Sequence, residues 1–300
     1  MNVRLLGLIE LSDGGRVLPL PSARARALLA SLAWQPRTVV TDAVLLERIW
    51  GSDLPDNPRD SLYTAAKRLR RGLEVAGYAH RLVRLRGGYL LDVNQAEVDV
   101  HRFRSQVVLA RDAVRRGFLY EANEAFEPAL SGWSGTALAD VDSAWAARCR
   151  ESLGRERLLV QLAAVEVKVR LGRHSEVVPE LSELAAEHPL DEGVAALLML
   201  ALHRCGLRSA ALGVYAEARR QLVGELGVEP GDALRRMQRE VLGESGAAAV
   251  VAGGAVGGVA RGAVGGVASG SGAVGGASGG DVAACADVRE TASTRLRLAG

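Results

Sequence analysis

Three patterns in the 300-residue sequence predict a mainly α-helical protein with a small β component. A basic amphipathic helix starts at Asn57-Pro58 and leads into an arginine-bearing hairpin that ends near Val93. From about Asp99 to Leu242 the pattern is nearly continuous helix with an internal repeat. Residues 246–280 are a low-complexity glycine, alanine and valine tract. The expected organisation is an N-terminal winged helix-turn-helix over residues 1–94, an all-α tetratricopeptide-like domain over 99–243, and a disordered tail over 244–300.

The elements follow in order from local signals. Residues 3–20 alternate and break at Ser12-Asp13-Gly14-Gly15, which reads as short strands around a turn. Ser22 is placed to cap a helix running to about Trp34, ended by Gln35-Pro36. Thr38-Val39-Val40 reads as an extended link, and Asp42 to Trp50 as a second helix stopped by Gly51. Asn57 supplies a capping side chain and Pro58 sits where no backbone donor is needed. Asp60 places a carboxylate in the first turn of this third helix. Leu62, Ala66, Leu69 and Leu73 recur at helical spacing and form its buried stripe. Thr64, Lys67 and Arg71 fall on the opposite face, flanked by Arg68 and Arg70. Gly87-Gly88 then joins Leu82–Arg86 to Tyr89–Val93 as a two-residue hairpin.

In the second region Gly172 and Gly206 lie 34 residues apart, the period of tetratricopeptide helix pairs. Val177, Leu181 and Leu184 follow the first glycine at the offsets where Ala211, Tyr215 and Ala218 follow the second. Gly117, with Ala122, Phe126 and Ala129, begins a third copy. Glycine permits the tight turn between helices, and the residues after it let the second helix pack on the first. Three units are about the minimum for a stacked core. Helical spacing alone is ordinary core; the period is what argues for stacked pairs. The glycine-rich tract cannot repay its ordering entropy, which is the basis for expecting a flexible tail.

Composition narrows the function. An apolar fraction of 48% supports a sizeable core, with few aromatics in it. From Arg59 to Arg86 there are eight basic and two acidic residues, +6, so the net charge of +2 leaves −4 for the rest. That asymmetry argues for one polyanion-binding surface. Cys149, Cys205 and Cys285 are scattered, without metal spacing, and suit a reducing cytosol. The apolar runs around Leu5–Ile9 and Val194–Leu202 are too short for a signal peptide or a membrane span. A cytoplasmic protein that uses no membrane is expected.

No catalytic constellation is visible. His80, His101, His174, His188 and His203 form no spaced metal or catalytic set and read as structural or surface residues. There is no Gly-x-Ser-x-Gly elbow. Neither of the two lysines, Lys67 and Lys168, follows a phosphate-cradling glycine loop, so no nucleotide-hydrolysing switch is expected. No cofactor is implied. Trp34, Trp50 and Tyr89 could serve as stacking platforms for bases but are expected in the core.

The basic helix alone would equally be a solvated helix face. Its position after two short helices and before an arginine hairpin favours duplex DNA. The helix would enter the major groove, which carries a full donor and acceptor code. Thr64, Lys67, Arg68 and Arg71 are the candidates for base edges or adjacent phosphates. Tyr63 and Arg70 lie more laterally and suit phosphates. Arg84 and Arg86 on the hairpin would reach the backbone or the adjacent minor groove. The rival reading is a tetratricopeptide-type interaction scaffold with a winged helix that does not bind DNA.

The chain resembles the Streptomyces antibiotic regulatory proteins, the SARP-type activators, over about residues 3–243. In the first domain the resemblance rests on Ala27-Leu28-Leu29-Ala30, Leu45 with Ile49-Trp50-Gly51, Lys67-Arg68-Leu69-Arg70-Arg71 and Arg86-Gly87-Gly88-Tyr89. In the second it rests on Leu138-Ala139-Asp140, Leu171-Gly172-Arg173-His174, Glu187-His188-Pro189-Leu190 and Glu225-Leu226-Gly227-Val228-Glu229-Pro230. It implies an OmpR-type winged helix joined to a bacterial transcriptional activation domain of tetratricopeptide-like helices. It further implies binding to promoter direct repeats as a homodimer or paired protomers, contact with RNA polymerase and its sigma factor, and targets in secondary-metabolite (antibiotic) clusters. Lys67, Arg68, Arg70, Arg84 and Arg86 match the family's DNA-facing positions. Three features depart from the family pattern. Ala65 stands where related winged helices often carry a polar base-reading residue, and Trp133-Ser134-Gly135 lacks a proline often found there. A glycine-rich tail stands where larger relatives carry an ATPase module. No receiver domain is expected ahead of the winged helix.

Overall fold

The structure, a computed structural model, describes residues 1–20 and 22–243. The glycine-rich tail and Cys285 lie outside the described residues. Met1–Val167 form one compact unit, and the described residues from Lys168 to Gly243 belong to a second.

The first unit opens with β1 (Asn2–Arg4), β2 (Glu10–Asp13) and β3 (Arg16–Leu18), an antiparallel sheet in that order. Val3 pairs with Leu11 and Leu11 with Leu18, so the inward-facing residues share one side. Helix α1 (Ala23–Ala33) follows, with the Ser22 hydroxyl accepting from the Ala25 N–H at 3.4 Å. It is buried along most of its length, as expected of a central helix with little charge. Helix α2 (Asp42–Trp50) is capped by the Thr41 hydroxyl and ends at Gly51 with φ +63°. Helix α3 (Pro58–Glu74) starts after Asn57, although the Asn57 side chain makes no capping hydrogen bond. Proline at the first position leaves the helix start one donor fewer to satisfy, although not the one such a cap would accept.

A second sheet comprises β4 (Val40–Thr41), β5 (Leu82–Leu85) and β6 (Gly88–Leu91), in the order β4-β6-β5. The stretch expected as an extended link therefore contributes a strand. Two residues are too few to show alternation, and β4 exists because it pairs with the open edge of β6. The hairpin turn is also one residue earlier than expected. Leu85 pairs with Gly88, so Arg86-Gly87 form the turn and Gly88 belongs to β6. The two glycines serve different needs. Gly87 takes φ +80°, which favours glycine, whereas a side chain on Gly88 would begin 2.4 Å from the Val40 carbonyl oxygen.

The helical region comprises α4 (Asp99–Arg115), α5 (Leu119–Ser131), α6 (Ala144–Arg170), α7 (His174–Glu187), α8 (Glu192–Arg204), α9 (Arg208–Gln221) and α10 (Asp232–Leu242). Gly117, Gly172 and Gly206 take φ of +82°, +79° and +78° in the turns between consecutive helices. Ala122, Phe126 and Ala129, then Val177, Leu181 and Leu184, are buried, as are Ala211 and Ala218. Tyr215 is half-buried. The tetratricopeptide-like repeat thus reflects a recurring turn and a recurring inward face.

Within the first unit, the segment after β1 joins the winged helix to the helices that follow it. The buried Asp99 carboxylate accepts the Leu5 N–H at 2.8 Å and the Leu6 N–H at 3.0 Å. Asp140 accepts the Ile9 N–H at 2.9 Å and pairs with Arg26. The Ser134 and Leu138 N–H groups donate to the Leu6 and Leu5 carbonyls, each at 2.9 Å. Trp34 meets Trp145 edge-on with ring centroids 5.8 Å apart, and Arg48 lies over Trp145. Burial raises the Asp99 carboxyl pKa, and the N–H donors of Leu6, Leu5 and Val100 pull against that shift. Trp34 and Trp50 are half-buried rather than core, and Tyr89 is core at 3% exposure. The guanidinium groups of Arg104 and Arg24 cover the open faces of Trp34 and Trp50.

Candidate nucleic-acid interface

Helix α3 turns one face inward and the other outward, and this division defines the site. Leu62, Ala65, Ala66, Leu69, Gly72 and Leu73 are buried. Tyr63, Thr64, Lys67, Arg68 and Arg71 are exposed, and Arg70 is half-buried. The helix lies so close to the end of β3 that a side chain on Gly72 would begin 2.8 Å from the Pro19 carbonyl oxygen. Ala65 is only 2% exposed. It packs inward, so its lack of a polar group takes nothing from the outward ridge, contrary to what its place in the resemblance suggested.

The exposed cations differ in what they touch. The Arg68 guanidinium donates to the Ser22 hydroxyl at 3.3 Å. The Arg70 guanidinium donates to the Leu82 carbonyl at 3.1 Å, linking α3 to the first hairpin strand. Arg84 donates to the Asp42 carboxylate at 2.8 Å and lies 4.4 Å over the centre of the Tyr89 ring. Hydrogen bonding to Asp42 pushes the Arg84 pKa up, and burial pushes the Tyr89 hydroxyl up. Arg86 stands exposed at the hairpin turn. Among the described residues, Lys67, Arg71 and Arg86 have no ion-pair partner.

Arg59, part of the charge excess but not among the residues expected at the site, also belongs here. It lines one cleft with Asp42, Leu62, Tyr63, Arg84 and Tyr89. Its four-residue spacing from Tyr63, and Tyr63's from Lys67, is the signal that places it on the same helical ridge. The structure thus brings the start of α2, the first turns of α3 and the β5–β6 hairpin together. Among the described residues, no group of three or more His, Cys, Asp or Glu side chains could hold a metal ion. No helix there is long and apolar enough to cross a membrane.

The order of these elements is matched by two family models. Residues 16–91 match the model described as transcriptional regulatory protein, C terminal, and residues 98–242 match the bacterial transcriptional activator domain. The regulatory protein DnrI of Streptomyces peucetius is 38% identical over 255 residues, covering 81% of this chain and 92% of DnrI. The chain belongs to the SARP family. Another SARP relative, AfsR of Streptomyces coelicolor, is 35% identical over 239 residues. That match takes in 79% of this chain and only 24% of AfsR. A solved structure titled Mycobacterium tuberculosis EmbR in complex with low affinity phosphopeptide matches with a TM-score of 0.76 at 28% identity. It covers 81% of this chain and 65% of the EmbR chain. Membership of the SARP family makes this protein a transcriptional regulator built from a winged helix and an activator domain.

Proposed function

We propose that this regulator is a sequence-specific duplex-DNA-binding activator, with α3 in the major groove and the β5–β6 wing on the flanking backbone. The observation that carries this reading is the outward ridge of α3 with the neighbouring turn. Lys67, Arg71 and Arg86 project there without carboxylate partners among the described residues, while the opposite side of the helix is buried. Thr64, Lys67, Arg68 and Arg71 are assigned to base edges and adjacent phosphates. Tyr63, Arg70 and Arg59 are assigned to lateral phosphates, and Arg86 to the backbone or adjacent minor groove. In this division of labour residues 1–94 read DNA. Residues 99–243 pair protomers on direct repeats and contact RNA polymerase and its sigma factor. The proposed targets are antibiotic or other secondary-metabolite genes, consistent with membership of this family.

The test is footprinting and gel shift of the purified chain on its neighbouring promoters at two salt concentrations. Protection of repeated sites is expected, weakened by salt and by Arg68→Ala or Arg86→Ala. Each lost phosphate contact should reduce the slope of log K against log salt by roughly 0.9. A folded protein that protects no duplex at low salt would overturn the proposal and move the function to the helical repeats.

A further inference from the structure

We propose that Asp42 and Arg84 form a positioning pair that fixes the wing, so that Arg86 rather than Arg84 meets the DNA backbone. The inference rests on the DNA-binding reading above and refines it. The geometry is a strap across the second sheet. Arg84 on β5 is registered opposite Tyr89 on β6 and lies across its ring. Both terminal nitrogens of Arg84 then reach the Asp42 carboxylate at the start of α2, beyond β6. The Asp42 N–H donates to the Gly87 carbonyl at 2.9 Å, so the same residue holds the wing turn through its backbone. One residue therefore ties the start of α2 both to the first wing strand and to the turn that carries Arg86.

Two further points favour positioning over direct contact. A guanidinium that donates to both oxygens of one carboxylate has its charge neutralised locally and its geometry fixed. The Asp42 side chain is 23% exposed, against 45% for Arg84, so the carboxylate lies more deeply than the cation that covers it. An acid this close to a polyanion surface would repel phosphate if left unpaired. Removing it would strengthen DNA binding if charge alone mattered. The positioning role predicts the opposite sign, and that difference makes the inference testable.

The experiment compares wild type, Asp42→Asn, Arg84→Ala, the double variant and Asp42→Glu on the operator found by footprinting. Thermal melting checks that each is folded. Expected for Asp42→Asn is an affinity loss of up to about fivefold, the range of a partly exposed ion pair. Backbone protection flanking the site should be lost, while guanine protection in the major groove is retained. The double variant should bind no more weakly than either single one, and Asp42→Glu should restore the flanking protection. Tighter binding by Asp42→Asn with a steeper salt slope, or unchanged flanking protection, would overturn the positioning role. That outcome would return Arg84 to the phosphate contacts while leaving the DNA-binding reading intact. A wild-type chain that protects no duplex at all would remove both.

Discussion

Where the winged helix meets the helices that follow, Arg26 pairs with Asp140, and on either side of that junction Arg81 pairs with Glu97 and Arg104 with Glu156. On the outward ridge of α3 and at the wing turn, Lys67, Arg71 and Arg86 have no such partner among the described residues. The residue chemistry is much the same in both places, and the surroundings separate the roles. Cations that face carboxylates serve the architecture of the first unit. Cations that face only solvent keep their charge for a ligand that would bring its own phosphates. Arg84 falls between the two groups: it lies in the wing, yet its charge is spent on Asp42.

The comparison breaks most severely at the seam. Asp99→Ala would orphan the buried N–H groups of Leu5 and Leu6, for a loss of about 3 kcal/mol in unfolding free energy. Chemical denaturation of the purified chain measures it, and a loss below about 0.5 kcal/mol would show that the seam is not held by this carboxylate. On the open ridge the effects should invert. Lys67→Ala and Arg71→Ala should leave stability within about 0.5 kcal/mol of wild type. Each should flatten the salt dependence of DNA binding by about one counterion. A variant that melts early with an unchanged salt slope would place its side chain with the structural cations instead.

The smallest effect concerns pH. The His101 ring lies 3.2 Å from the Ala33 carbonyl, joining α4 to the end of α1. Burial holds its pKa below the usual imidazole value, against the carbonyl hydrogen bond and with help from the Arg104 charge. The unfolded chain therefore takes up this proton first as pH falls. The contribution is fully present above the ordinary value near ~6.5 and is lost as pH drops through the lowered one. Melting temperatures at pH 7.5 and 5.5 should differ more for wild type than for His101→Gln. Equal differences would assign the acid sensitivity elsewhere.

Much of the fold was legible because its signals are local. The span of α2, the polarity of α3 and the glycine-marked helix turns all follow from caps, breakers and spacing read within a dozen residues or so. The exceptions depended on a partner distant in the chain. β4 could not be read from two residues, since β6 lies nearly fifty positions away. The wing turn was placed one residue late because two adjacent glycines look alike in sequence. Only the approach of Val40 shows that Gly88 serves strand packing. At the site, the outward residues of α3 were legible from helical periodicity. Arg59 was missed because a residue at the first turn was counted as charge and not placed on the ridge.

By itself the sequence determined the helices and the wing hairpin, the repeat in the helical region, the basic face of α3 and membership of the SARP family. These are properties of periodicity and of motifs that need no third dimension. Only the tertiary structure decided which cations are spent and which remain. That question turns on carboxylates placed by other elements, such as Asp42 for Arg84 and Asp140 for Arg26. An ion pair forms between residues 42 or 114 positions apart only once folding has brought their elements together, and no local pattern encodes that distance.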